Sequence, residues 1–273
     1  MGVLACVVGL AACEPGDKAA APTTTTSSLV DAGPVSRWAW DGARTGSDGR
    51  ELVIFLTGGP ELVTGNPCTE AYDARVAESS TAVRVRLLAR RPATPADWTY
   101  GCTSAGHTRS VKVRLKQPLG KRGLVQEPEG GLRPVFDGAT LLEPSWLPDG
   151  YRFWQEQPGF GEFDERRDWR RVWGSDRAAD GQRCVAGRQS ISVAQSPAER
   201  GAGSGSAPSP GAQERDVRGN KGWYLPPDQF TSGGVVWNED GTSIVVRSEP
   251  ACEGDTPVPE DALLRFARGL QAP

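Results

Sequence analysis

The chain has 273 residues, 37% of them hydrophobic, with a mean hydropathy of −0.44 and a formal net charge of −3. That length allows one large or two small domains, each with its own core, and the hydropathy excludes a body that spans a membrane repeatedly. The slightly negative balance supplies no global positive field, so nucleic acid is not expected as a partner. Gly (34) and Pro (22) are abundant, which favours short strands and many turns over long helices.

Val3 to Ala12 is a run of small and aliphatic residues. It is far shorter than the about 20 residues a transmembrane helix needs and has the length of a signal-peptide apolar region. It ends Leu10-Ala11-Ala12-Cys13, which resembles the lipobox of bacterial lipoproteins. The resemblance implies that residues 1–12 are a removed signal peptide and that Cys13 carries a diacylglycerol on sulfur. The protein would then be extracytoplasmic and anchored to the cell membrane by lipid, since two or more acyl chains anchor stably. A chance Ala-Ala-Cys in an ordinary cleaved signal is the alternative. Met1-Gly2 lacks the basic residues that open such signals, so the true start codon is expected upstream; coding DNA with no in-frame start there would count against this. Residues 13–34 are expected to form a disordered tether, because Glu14 to Ser28 is rich in Ala, Pro, Thr and Ser without an apolar period.

Residues 35–138 read as a β-sandwich-like domain. Leu52-Val53-Ile54-Phe55-Leu56 is a continuous apolar run ended by Thr57-Gly58-Gly59-Pro60, the pattern of a buried strand. Ala74 to Ala77 is a further short strand. Val83, Val85 and Leu87 alternate with Arg84 and Arg86, and Val111, Val113 and Leu115 alternate with Lys112, Arg114 and Lys116. Period two with one basic and one apolar face predicts two half-buried antiparallel strands. After the turn Pro118-Leu119-Gly120, Leu124-Val125 begins another strand. The basic faces carry Arg84, Arg86, Arg90, Arg91, Lys112, Arg114, Lys116, Lys121 and Arg122, with Arg84, Arg86 and Arg114 as the foremost candidates, and could meet anionic lipid headgroups or wall polymers; a solvated sheet face is the bland alternative.

Gly58-Gly59, Pro67-Cys68, Glu78, Val83-Arg84-Val85, Cys102, the strand from Val111 to Leu115 and Pro118-Leu119-Gly120-Lys121-Arg122 together resemble a recurring module of actinobacterial extracytoplasmic lipoproteins. The resemblance implies compartment and architecture rather than an activity.

Residues 139–273 read as an α+β domain. Pro148-Asp149-Gly150 turns into a strand at Tyr151 to Trp154, and further strands are predicted at Gln189 to Val193, Gly222 to Leu225, Gly234 to Trp237 and Ser243 to Arg247. Asn238-Glu239-Asp240-Gly241 predicts a hairpin. Pro259 to Leu270 reads as a helix with Pro259 in its first position and Leu263, Phe266, Ala267 and Leu270 on the face that packs on the sheet. An insertion at about 197–214, rich in Ala, Gly, Ser and Pro, is expected to be disordered. The order Leu147 to Tyr151, Ile191-Ser192-Val193, Val235-Val236-Trp237 and Leu263 to Leu270 is similar to small domains of bacterial lipoproteins and of some anti-sigma regulators, which implies a sensing or partner-binding role. The fold class expected overall is α+β, mostly antiparallel β, in two small domains with a C-terminal helix packed on a sheet.

Of the six cysteines, Cys6 leaves with the signal and Cys13 takes the lipid. Cys68, Cys102, Cys184 and Cys252 remain, an even number that suggests two disulfides in an exported protein. Three pairings are open; Cys68–Cys102 and Cys184–Cys252 are preferred because each lies within one domain. A zinc site is disfavoured, since no C-x-x-C occurs and His107 is the only histidine.

Six of the nine tryptophans fall in the second domain. Trp169 and Trp173 are candidates for stacking on a cell-wall glycan or anchoring an envelope protein, with core filling as the commoner role. The segment Phe160 to Trp173 is expected to be a salt-paired loop or, alternatively, an exposed binding edge. No G-x-S-x-G, S-x-x-K, H-E-x-x-H or P-loop pattern occurs, and no cofactor is expected. The expected function is non-catalytic binding in the cell envelope, with an envelope-sensing regulator or a cell-wall glycan hydrolase as alternatives.

Overall fold

Leu52 to Leu56 are all buried, so this strand has core on both faces. The computed structural model describes residues 23–24, 32–63, 65–99, 101–102, 106–159, 168–175, 189–198, 211–227, 233–250 and 257–272. The apolar strand is the centre of β4 (Glu51–Gly58), which lies in a four-stranded sheet ordered β10 (Val135–Phe136), β3 (Gly42–Thr45), β4, β7 (His107–Arg114). A second sheet faces it: β1 (Thr23–Thr24), β5 (Ala71–Glu78), β6 (Ala82–Pro92), β8 (Gly123–Gln126) and β9 (Leu132–Arg133), with β2 (Ala32–Trp38) also alongside β6. Leu52, Ile54, Leu56 and Val113 from one sheet meet Val76, Val83, Val85, Leu87 and Leu124 from the other in a shared core. The alternation seen in the sequence therefore reports a sandwich interior.

A seven-stranded antiparallel sheet follows: β12 (Tyr151–Pro158), β13 (Trp169–Ser175), β14 (Ser190–Pro197), β18 (Thr242–Glu249), β17 (Gly234–Glu239), β16 (Asn220–Leu225), β15 (Gln213–Val217). The hairpin from β17 to β18 turns on Asp240 (φ 49°) and Gly241 (φ 74°), the left-handed pair that a two-residue turn demands. Helix α1 (Glu260–Arg268) lays Leu263, Phe266 and Ala267 onto this sheet beside Trp173, Ile191, Val193, Trp237, Ile244 and Val246. Among the described residues it is the one α-helix, and no helix is long and apolar enough to cross a membrane.

A third cluster joins the two large cores. Val53 and Phe55, on the outer face of β4, pack with Phe136, Leu141 and Trp169. The connection between them is held in place: the buried Gln195 accepts from the Leu142 amide at 2.8 Å and donates to the Thr140 carbonyl at 2.9 Å. β11 (Glu143–Pro144) then pairs with β19 (Leu270–Gln271) just after the helix.

Several expectations need correction. Strand order begins inside the expected 13–34 tether, because Thr23–Thr24 pairs with β5 and β2 starts at Ala32. Both ends of the expected 197–214 insertion are strand: β14 runs to Pro197 and β15 starts at Gln213, with residues 199–210 outside the described residues. β8 enters parallel to β6, since the chain crosses from β7 in the facing sheet rather than turning back beside its neighbour. Pro259 is the N-cap of α1 with an extended backbone, and Leu270 lies in β19, so the helix is shorter at each end. The end of the Phe160–Trp173 segment belongs to β13, not to a loop.

Candidate functional site

Glu70, just before β5, and Tyr72 within it continue the strand's inward-facing stripe of Ala74 and Val76. An acid at such a position must be hydrogen-bonded. Glu70 is 3% exposed and fully engaged: one carboxylate oxygen accepts from the Gly59 amide at 2.8 Å and from the Tyr72 hydroxyl, and the other accepts from the Arg91 guanidinium. The Tyr72 oxygen also accepts from the Gly59 amide at 2.9 Å. Arg109 donates its Nε–H to the Gly59 carbonyl at 3.0 Å. The two glycines that end β4 are what permits this approach. A Cβ on Gly58 would stand 1.9 Å from the Tyr72 oxygen, and one on Gly59 would stand 2.9 Å from Glu70 Oε2.

Trp38 completes the group. Its indole N–H donates to the Thr57 carbonyl at 3.1 Å, its ring meets Tyr72 edge-on at 5.9 Å, and Arg91 lies over it at 6.0 Å. Burial pushes the Glu70 carboxyl up, but the hydrogen bonds from Tyr72, Gly59 and Arg91 outweigh it and hold the group below the ordinary carboxylate range. Burial, reinforced by the hydrogen bond to Glu70, pushes the Tyr72 hydroxyl up to about 12. Near neutral pH the pair therefore offers a fixed charge and a fixed neutral hydroxyl.

Two hollows meet at Glu70. One of about 450 Å³ lies at the open edge of the sandwich, between Glu61, Tyr72 and Asp73 on one side and Thr108, Arg109 and Ser110 on the other. The other, of about 280 Å³, lies between Trp38, residues 58–60, Arg91 and the Cys68–Cys102 bridge. Arg91 is matched by Glu70, and Arg90 by Asp73 at 3.4 Å. Two aromatic rings with internally neutralised planar polar groups suit a polar ligand of low charge bearing hydroxyl or amide groups.

Cys68 and Cys102 are bonded, as preferred from the sequence, with Cα atoms 5.2 Å apart. Cys13, Cys184 and Cys252 lie outside the described residues, and with them the lipid site and the second pairing. Trp169 and Trp173 are 2% and 3% exposed and do not form a binding edge: the first fills the cluster between the two cores, and the second packs against Phe266 at 5.5 Å. Arg84 and Arg86 do not join Arg114. Their inward neighbours Val83, Val85 and Val113 all point into the sandwich core, so the arginines project from opposite outer faces. Arg86 is paired with Glu127 and Arg114 with Asp48. Among the described residues no group of three or more His, Cys, Asp and Glu side chains could hold a metal ion.

Sequence reasoning passes over Glu70, Tyr72 and Trp38 and reads Arg91 only as part of a basic sheet face. The legible signal was an acid in register with the inward stripe 70, 72, 74, 76, eleven residues after a glycine pair.

No protein-family model matches the chain, and no curated protein matches it. Among solved structures the chain is similar to one titled "Crystal structure of MucB in complex with MucA(peri)", with a TM-score of 0.24 and 10% identity over 87% of this chain and 67% of that one.

Proposed function

We propose that the chain is a lipid-anchored extracytoplasmic protein with a non-catalytic binding role in the cell envelope, and that its ligand sits in the cleft around Glu70. The observation that carries this reading is the Cys68–Cys102 bridge in the wall of that cleft. Disulfides persist in oxidising compartments outside the cytoplasm, in agreement with the Leu10-Ala11-Ala12-Cys13 sequence. The cleft's paired charges, Trp38 and Tyr72 fit a neutral polyhydroxylated ligand such as a cell-wall glycan. Mass spectrometry of the protein extracted from its own membrane tests the anchor: a chain starting at Cys13 with added acyl mass supports it, and an unlipidated chain sinks it. Titration calorimetry with soluble cell-wall glycan fragments tests the ligand. Binding that falls at least about tenfold in Arg91→Ala and Trp38→Ala, the loss of about one good contact, supports the cleft; equal binding by the variants removes it.

A second reading, contact with a membrane signalling protein, is favoured by Phe153 and Trp154. They are 46% and 42% exposed at the bulge of the edge strand β12. Crosslinking in the native membrane that is lost in Phe153→Ser would support it.

A further inference from the structure

The end of the sandwich opposite the cleft is built from residues 46–51, 78–82 and 114–123. Backbone hydrogen bonds tie these segments into one surface: Leu115 donates to the Arg50 carbonyl and Leu119 to the Gly49 carbonyl, each at 2.8 Å, and Gly123 to the Thr81 carbonyl at 3.0 Å. The Lys116 amide donates to Glu78 at 2.8 Å. Five basic and three acidic residues fall in these segments, on a chain whose net charge is −3. The acids are turned inward or matched. Glu78 holds Arg122 at 2.8 Å, Asp48 holds Arg114 at 2.9 Å, and Glu51 is half-buried. Arg50, Lys116 and Lys121 remain exposed.

A second observation points to the same end. Thr23 lies beside Val76 and Thr24 beside Arg75 in antiparallel register, so β1 begins on the Glu78 side of β5 and runs towards its Glu70 end. Cys13 precedes Thr23 by ten residues, a span of at most about 35 Å for a fully extended chain. We propose that this basic end is the membrane-facing surface of the protein and docks on anionic phospholipid headgroups, leaving the Glu70 cleft pointing away from the bilayer. The proposal rests on the lipid anchor at Cys13 argued above.

The acylated full chain is reconstituted into vesicles of phosphatidylcholine alone or mixed with phosphatidylglycerol, and lysine labelling by a water-soluble amine reagent is read by mass spectrometry. On the anionic vesicles, labelling of Lys116 and Lys121 is expected to slow several-fold while Lys221 is unchanged, and high salt reverses the effect. Unchanged labelling on anionic vesicles that still carry the protein overturns the proposal. Failure to associate with pure phosphatidylcholine overturns the anchor instead. The surface is then judged by co-sedimentation of the unacylated Cys13→Ala chain with the anionic vesicles. Each of Lys116→Glu and Lys121→Glu should weaken binding by about fivefold or more, whereas Arg37→Glu and Arg247→Glu should not; equal losses in both sets overturn the assignment to this end.

Discussion

Trp169 lies edge-on to Phe55, with ring centroids 4.9 Å apart. The contact gives β4 its second buried face and joins the sandwich to the seven-stranded sheet, with Phe136 stacked on the same indole at 5.6 Å. Trp169→Ala should leave a cavity at this junction and cost about 3–5 kcal/mol. Urea unfolding measures it. A cost under about 1 kcal/mol would mean that the site collapses without consequence.

The same junction carries a half-buried ion pair. Arg44 and Glu156 meet at 2.6 Å, and Arg171 lies 3.7 Å from the same carboxylate. Glu156→Ala should destabilise by about 3 kcal/mol, because Arg44 loses its carboxylate in a poorly solvated place, whereas Arg171 keeps Glu143 at 3.1 Å. The double change Arg44→Met with Glu156→Leu should cost less than Glu156→Ala alone, a comparison that equilibrium unfolding decides.

Gly58→Ala places a methyl group against the Tyr72 hydroxyl and ring. The expected cost is about 1–3 kcal/mol from overpacking, together with weaker ligand binding, because Tyr72 must leave Glu70. Alanine at Gly130, where no atom lies within 4 Å, should not affect the cleft, although its φ of 73° carries its own backbone strain. Calorimetric binding and thermal unfolding of both variants separate the two effects.

Glu70 and Glu78 titrate below their ordinary value of 4.5 in the folded protein; burial opposes this in each, and hydrogen bonds and the nearby arginines prevail. The unfolded chain therefore takes up these protons first. The stability they contribute is complete above about pH 4.5 and is lost as pH falls through the depressed folded values. Tyr72, raised from 10.0 to about 12, acts at the other limit: the unfolded chain loses its proton first, so stability declines from about pH 10 to 12. Tyr72→Phe should reduce the alkaline decline, leaving the share of Tyr224, which burial also raises, and Glu70→Gln should reduce the acid one, leaving that of Glu78; both are read from unfolding free energies across pH.

Cys68 and Cys102 close a loop with a sequence separation of 34. Replacing both by Ser should cost about 3–4 kcal/mol on a loop-entropy basis and widen the cleft wall. Unfolding in urea with and without a reductant tests this. A wild-type midpoint indifferent to the reductant would contradict a stabilising bridge.

Much of the architecture is legible in local sequence pattern. The alternation of Val83, Val85 and Leu87 marked an inward strand face, Asp240-Gly241 marked a hairpin, and Leu263, Phe266, Ala267 and Leu270 marked the buried stripe of the helical end. These follow from backbone geometry within a few residues, which a sequence carries locally. Periodicity says that a face is buried but not what buries it. Trp169 and Trp173 were therefore ambiguous until β13 was set between β12 and β14, and Arg84 and Arg114 looked like one basic surface until their strands fell in facing sheets. The Glu70 cleft depends on still longer range, because Trp38, Gly59, Tyr72, Arg91 and Arg109 come from five separate stretches of chain. Local pattern along the chain marks many of the strands and turns and favours Cys68–Cys102 among three pairings, while β2 begins where a tether is expected and β13 where a loop is. Only the tertiary structure decided which faces meet, because the free energy of that choice lies in contacts between residues that are distant along the chain.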